Sequence, residues 1–291
     1  MPLDRMILAC LLSSVGGVYV PGRPQYVAES PGDLVLAGLF PIHKSASPGY
    51  CRPVLRSGGF YVPYAYSMMH AIHRVNDDPA ILPNITLGYR IADSCGKDTA
   101  ALAHALDFVR LSPTGDDSAP PPPVVGVVGG SYSSVTKLSG YLMTMFHVPQ
   151  ISYTATSDAL SDKSVYTYQL RTIVPNRVFL QAIMDVIAYF RWSYVSLLYI
   201  DDEYGTDGQR YISKQADRLG VCFAVKERVN YSMTASHFDR MAGMLLQRPQ
   251  AKVVIVLSYR SSRNGPDLME ALRRRNAIHD FIFVAPTLGR V

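Results

Sequence analysis

The chain has 291 residues, 48% of them apolar and 18% charged, which excludes a disordered protein and is long enough for two domains. The net charge of +5 is modest, and the basic residues are scattered apart from Arg273-Arg274-Arg275, which close a predicted helix, so the pattern argues against nucleic acid as a partner. After residue 20 no run reaches the roughly eighteen apolar residues that a membrane span needs.

The first twenty residues carry one arginine, an apolar core from Met6 to Leu12 and small residues up to Gly17, the layout of a secretory signal peptide at 1–20. The mature chain then alternates strands and helices. Leu34 to Leu39 reads as a strand, Tyr64 to Val75 as a helix, Leu87 to Ala92 as a strand and Thr99 to Val109 as a helix. Between Leu111 and Val124 the segment LSPTGDDSAPPPP has too little apolar surface to offset its ordering entropy, and is expected to be a mobile surface loop.

Val124 to Val128 is a short β-branched run of the kind found in a strand covered on both faces. Gly129 and Gly130 end it. Ser131, Ser133 and Ser134 follow, directly ahead of Val135, Leu138, Leu142 and Met145 at helical spacing. A strand therefore feeds a helix through a turn with small hydroxyls, unpaired backbone N–H groups and the positive end of a helix dipole, which suits a carboxylate or phosphate. Val148 to Ser152 returns as a strand, and Tyr153-Thr154-Ala155-Thr156-Ser157 adds hydroxyls at its carboxyl end, the edge where ligands lie in open α/β sheets. Ordinary capping and turn chemistry is the competing reading of the same hydroxyls.

Gln169 to Ile173 is the next expected strand, then a helix from Phe179 to Phe190, with a crossover to a second lobe near Val174. Strands are expected at Tyr194 to Tyr199, Val221 to Val225, Val253 to Leu257 and Phe281 to Val284, and helices at Asp207 to Leu219, Phe238 to Leu246 and Leu268 to Arg275. Such alternation implies right-handed βαβ units and parallel sheets with helices on both faces. The expectation is thus an α/β protein with lobes at 21–174 and 175–291, the second of them incomplete.

Other chemistries find little support. Gly126, Gly129 and Gly130 do not match the dinucleotide spacing, no glycine-rich turn ends in Gly-Lys-Ser/Thr, and the serines lack the second glycine of a nucleophile elbow. No enzyme and no cofactor is expected. His70 and His73, at i, i+3 on one helix, read as a polar face rather than a metal site. Excluding Cys10 of the signal leaves Cys51, Cys95 and Cys222, an odd number, so one is unpaired or pairs elsewhere. Asn84-Ile85-Thr86 and Asn230-Tyr231-Ser232 are sequons, which place Asn84 and Asn230 as glycan acceptors in a eukaryotic secretory pathway.

Several blocks together carry a family resemblance. They are Gly32 to Pro41 (GDLVLAGLFP), Asn76-Asp77-Asp78-Pro79, Leu82 to Gly88 (LPNITLG), Val148 to Tyr153 (VPQISY), Leu160-Ser161-Asp162 and Tyr204-Gly205. From Gly32 to about Leu288 the chain resembles the extracellular ligand-binding domain of class C G-protein-coupled receptors, most of all the metabotropic glutamate receptors. The resemblance implies a two-lobed clamshell of the periplasmic-binding-protein type (type I), with a small carboxylate or amino-acid-like ligand between the lobes. It also implies a homodimer through lobe 1, a location on the extracellular face of the plasma membrane, and a downstream cysteine-rich module and seven-helix membrane portion, so the chain reads as a fragment or a natural short form. The alternatives are a secreted small-molecule binding protein of the same fold and a receptor fragment that has lost ligand binding.

Carried over residue by residue, the family's carboxylate-binding positions fall on Ser133, with Ser134 beside it, and on Thr154, Ala155 and Thr156. A tyrosine of the second lobe falls on Tyr204. The rest departs from the pattern. Tyr64 stands where glutamate-binding members carry an arginine for the distal carboxylate, and Arg177, Tyr259 and Thr287 stand at three acidic positions. Glutamate itself is therefore in question. Arg177 either points a cation into the cleft and selects an acid or faces solvent. Asp201, Asp202 and Glu203 either restore negative charge or complement the next helix N-terminus. The resemblance also implies a Cys51–Cys95 bridge, a Cys222 that reaches the downstream module, and no dimer-linking cysteine in the loop before Val124.

Overall fold

The computed structural model describes residues 26–45, 51–55, 59–109, 123–230, 232–258 and 263–286. The signal peptide, the loop at 111–122, Tyr259 and Thr287 lie outside the described residues.

Contacts divide the chain into two units, Met1–Ala155 with Ala159–Ile173, and Thr156–Asp158 with Val174–Val291. The strands of the first unit are β1 (Tyr26–Ser30), β2 (Leu34–Phe40), β3 (His43–Ser45), β4 (Cys51–Leu55), β5 (Leu87–Asp93), β6 (Val124–Gly129), β7 (Gln150–Ser152) and β8 (Gln169–Arg171). Its helices are α1 (Val62–Asp77), α2 (Asp98–Phe108) and α3 (Ser133–Met145). Six strands form one sheet in the order β1-β5-β2-β6-β7-β8, and β3 pairs with β4 as a separate hairpin. The sheet is parallel from β5 to β8, as the βαβ alternation predicts, but β1 lies antiparallel on its edge. Neither β1 nor the hairpin is foreseen by the sequence reading, because both are short and lack a buried apolar run.

The first core forms where α1 meets β2 and β5. Ala65, Met68, Met69 and Ile72 recur at i, i+3, i+4, i+7 and pack with Phe40, Ile42, Leu87 and Ile91. Burial of each larger side chain contributes about 1.5–3 kcal/mol, which is how a helix of ordinary propensity is held to the sheet. At the carboxyl end of β5, Asp93 fastens the neighbouring turn: its carboxylate accepts from the backbone N–H of Ile42 at 2.9 Å, His43 at 3.0 Å and Cys95 at 2.8 Å, and lies 2.7 Å from His43 Nδ1.

The second unit contains α4 (Asn176–Tyr189), β9 (Tyr194–Ile200), α5 (Glu203–Leu219), β10 (Cys222–Val229), α6 (Ala235–Leu246), β11 (Val253–Leu257), α7 (Asn264–Arg273) and β12 (Ile282–Val284). Its sheet runs β10-β9-β11-β12 and every pairing is parallel. Val253, Val254, Ile255 and Leu257 are buried in the middle of it, while α4 contributes Leu180, Ile183, Met184 and Ile187, again at helical spacing. These helices begin earlier than the apolar periodicity alone predicts, α4 at Asn176 and α5 at Glu203, because their first turns are polar.

Candidate functional site

The turn from β6 to α3 depends on a glycine. Gly129 has φ +131°, and a Cβ there would come 2.2 Å from the carbonyl oxygen of Leu39. The next carbonyl, that of Gly130, accepts from Ser152 Oγ at 2.9 Å and Thr136 Oγ1 at 3.0 Å, so it is already doubly satisfied. Tyr132 sits just before the helix in an extended conformation and makes no side-chain cap. Ser133, buried, and Ser134, half-buried, are the first two residues of α3. The first intrahelical bond comes only at Thr136 N–H to Tyr132 O, 2.9 Å, which leaves the N–H groups of the opening turn outside the helical pattern.

Groups after β7 bond within the protein. Thr154 Oγ1 donates to the Ser131 carbonyl at 2.8 Å, and the Ala155 N–H donates to Ser152 Oγ at 3.1 Å. The Thr156 carbonyl accepts from the Asn176 N–H at 2.7 Å, and both residues belong to the second unit. Thr154 and Ala155 thus stitch the two turns together. The Thr154 hydroxyl proton and the Ala155 N–H are therefore engaged within the protein.

Against this turn lies a group of rings, of which Tyr64 stands where the resemblance expects an arginine. Tyr64 stacks on Tyr153, centroids 4.9 Å apart and planes 19° from parallel, and Tyr153 in turn stacks on Phe40 at 5.6 Å. Tyr61 lies 6.2 Å from Tyr64 and 6.1 Å from Tyr132, and the Tyr61 and Tyr132 hydroxyls are 3.1 Å apart. Ser131 Oγ donates to the Tyr153 hydroxyl at 2.6 Å. Burial, opposed by that Ser131 bond and assisted by the neighbouring phenols of Tyr61, Tyr64 and Tyr132, pushes the Tyr153 phenol far above the ordinary tyrosine range, so it stays neutral. Clustering of Phe60, Tyr61, Tyr64, Tyr132 and Tyr153 could have been suspected from their presence near the two turns. The contacts span up to 89 positions in sequence and carry no local signature.

In the second unit Tyr204 is 7% exposed and forms part of the apolar core; burial, with Asp202 adding to it, raises its phenol well above the usual range. The acids before it are engaged structurally. Asp202 caps α5, accepting from the Gly205 N–H at 3.0 Å, and Asp201 pairs with Arg228 at 3.2 Å. Arg177 is exposed in the first turn of α4, its N–H directed at Asp158 Oδ1 at 3.4 Å. Asn176 beside it is 1% exposed, and neither polar atom of its side chain has a partner among the described residues.

Cys51 and Cys95 form a disulfide, with Cα atoms 5.4 Å apart, and Cys222 is free and exposed at the start of β10. Cys51, Asp93 and Cys95 lie close enough together to suggest a metal site, but the bridge removes both thiolates. His70 and His73 are exposed, and His73 meets Tyr89 edge to face at 6.4 Å. Asn84 is exposed in a turn, whereas the side-chain oxygen of Asn230 accepts from Ser232 N–H at 2.9 Å and Oγ at 2.7 Å. Among the described residues no helix is long and apolar enough to cross a membrane.

A family model described as "Receptor family ligand binding region" matches residues 65–287. The chain is 36% identical to a metabotropic glutamate receptor of Drosophila melanogaster over 88% of its own length, and 34% identical over 94% to metabotropic glutamate receptor 4 of Mus musculus and of Macaca fascicularis. It spans 27% of the fly protein and 32% of the mouse protein, roughly a third of their length or less. With an α/β architecture of parallel strands and covering helices, and a family match across more than half of its length, the chain belongs to the family of receptor ligand-binding regions and is similar to the metabotropic glutamate receptors.

Proposed function

We propose that this chain is the extracellular ligand-binding region of a metabotropic glutamate receptor-like class C receptor, and that it holds a small carboxylate on the opening turn of α3. The observation that carries the reading is the β6–α3 turn. It lies at the carboxyl edge of a parallel sheet in a chain of the ligand-binding-region family, and its first-turn backbone and the Ser134 hydroxyl suit an anion. Thr154 and Ala155 shape that turn rather than donate to the ligand. Tyr204 serves by closing the second core, and Arg177 offers an exposed cation. The role is recognition rather than catalysis.

Calorimetric titration of the purified secreted chain with glutamate, neutral amino acids and amine-free dicarboxylic acids tests the reading. Ser134→Glu is the informative variant. A carboxylate at the second helical position favours the helix dipole, so the fold is kept while the ligand's anion is repelled. Saturable binding of at least one acid, weakened about tenfold or more in the variant, is expected, the loss being of the order of one charge-assisted hydrogen bond. Undiminished binding in the variant would place the carboxylate elsewhere.

The same reading includes passage through the secretory pathway, glycans on Asn84 and Asn230, and a non-covalent homodimer through the first unit. What supports the dimer is a face of exposed apolar residues on and just after the packed helices α2 and α3: Leu102, Leu106, Tyr141, Met145 (70% exposed) and Phe146.

A further inference from the structure

Basic residues that are scattered in the sequence are gathered by the topology of the second unit. Every pairing in its sheet, β10-β9-β11-β12, is parallel, so all four strands start at one edge and the helices before them end there. From the last turn of each helix to the strand that follows, this edge carries Arg218 ahead of β10, Arg191 ahead of β9, Arg248 and Lys252 ahead of β11, and Arg273-Arg274-Arg275 ahead of β12. Against these seven basic residues the same stretches hold three acidic ones, Asp217, Glu270 and Asp280, whereas Asp201, Asp202 and Glu203 stand at the opposite edge. Glu270 is taken up by Arg273 at 3.6 Å and Arg274 at 3.8 Å. Arg191, Arg218, Arg248 and Lys252 are exposed and make no ion pair among the described residues. Helix dipoles account for a cation in a last turn, as at Arg218 and Arg273, but Arg191 and Lys252 lie beyond the helix ends.

Aromatic rings lie in the middle of the same edge. Tyr189 and Phe190, at the end of α4, are 81% and 56% exposed, and Phe190 stacks on Trp192 with centroids 4.8 Å apart and planes 16° from parallel. We propose that this edge binds a sulfated polysaccharide. Strands about 4.8 Å apart set the four strand starts along a line of about 14 Å, which suits a linear chain of anions better than one compact anion. Six of the seven cations are arginines, whose planar fork pairs oxyanions bidentately, and the exposed ring faces offer apolar contact to the C–H faces of sugar rings. A nucleic acid carries similar charge. The extracellular location in the proposed function favours the polysaccharide, and for that choice alone the inference rests on that reading.

Fluorescence anisotropy of a labelled heparin octasaccharide, titrated with the purified secreted chain at physiological salt, gives the test. Saturable binding that weakens as salt is raised is expected, and the same octasaccharide stripped of its sulfates but keeping its carboxylates should bind about tenfold more weakly. Arg248→Gln combined with Lys252→Gln should lower affinity about fivefold or more. Arg74→Gln combined with Lys97→Gln removes the same charge from exposed positions of the first unit and should change affinity by less than about twofold. Should the first pair fail to fold, Arg191→Gln combined with Arg218→Gln takes its place. Equal losses in the edge pair and the control pair would reduce the effect to net charge and overturn the proposal. Equal binding of the desulfated chain, or tighter binding of a single-stranded oligonucleotide of matched charge, would overturn it too. Absence of heparin binding also overturns it, and leaves the carboxylate reading, which is titrated with small acids, standing.

Discussion

Replacing Tyr64 by arginine would set a guanidinium where the native ring stacks 4.9 Å from Tyr153. Bidentate pairing with a carboxylate would then outweigh the lost ring contact, and glutarate affinity measured by calorimetry should rise by about tenfold or more. Asp202 separates two readings at the same scale. Its bond to the Gly205 N–H makes it a helix cap, so Asp202→Ala should lower stability by about 1 kcal/mol in urea unfolding and leave ligand affinity unchanged. A loss of affinity with no loss of stability would instead make it the ligand's counter-charge. His104 sets a pH dependence. Burial holds its imidazole below the ordinary histidine value of 6.5, with Asp93 and Asp107 pulling the other way. Because the unfolded chain takes up the proton more readily, the stability present above pH 6.5 is lost as pH falls below it, and His104→Gln should flatten that limb of a plot of Tm against pH.

Elements with a repeating apolar pattern were the legible part of the fold. The i, i+3, i+4, i+7 faces of α1 and α4 and the β-branched runs of β6 and β11 announce themselves, since burial on one stripe or on both faces is what their residues supply. β1 and the β3–β4 hairpin did not, because edge pairing and a disulfide hold them rather than a pattern. The bridge closes a loop of 44 residues, and breaking it by Cys51→Ser should cost about 4 kcal/mol in denaturant unfolding under oxidising conditions. At the β9–α5 junction a Cβ on Gly205 would lie 1.9 Å from the Ile200 carbonyl oxygen, so Gly205→Ala should destabilise by about 3 kcal/mol or more. Of the site, the strand–turn–helix element was legible from Val124 to Met145. The partners of Thr154, Ala155 and Asp202 were not, because a sequence shows a hydroxyl or a carboxylate without showing which backbone group it already serves.

For the whole molecule, the proposed homodimer would cover the exposed apolar residues Leu102, Leu106, Tyr141, Met145 and Phe146 on and just after α2 and α3. A homodimer through them should dissociate in Leu106→Asp or Met145→Asp, seen by sedimentation equilibrium, with the melting transition of the first unit retained at high protein concentration. The proposed recognition of a small anion starts from family membership, the parallel sheets and the α3 turn, and the carboxylate is the part of the proposed ligand on which the other assignments depend. The most direct measurement is a calorimetric comparison of pentanoate with pentanamide, which share a chain and differ in the carboxylate. The account predicts saturable binding of the acid and affinity for the amide lower by about tenfold or more, as loss of a charge-assisted contact requires. Equal affinity for the two would contradict it.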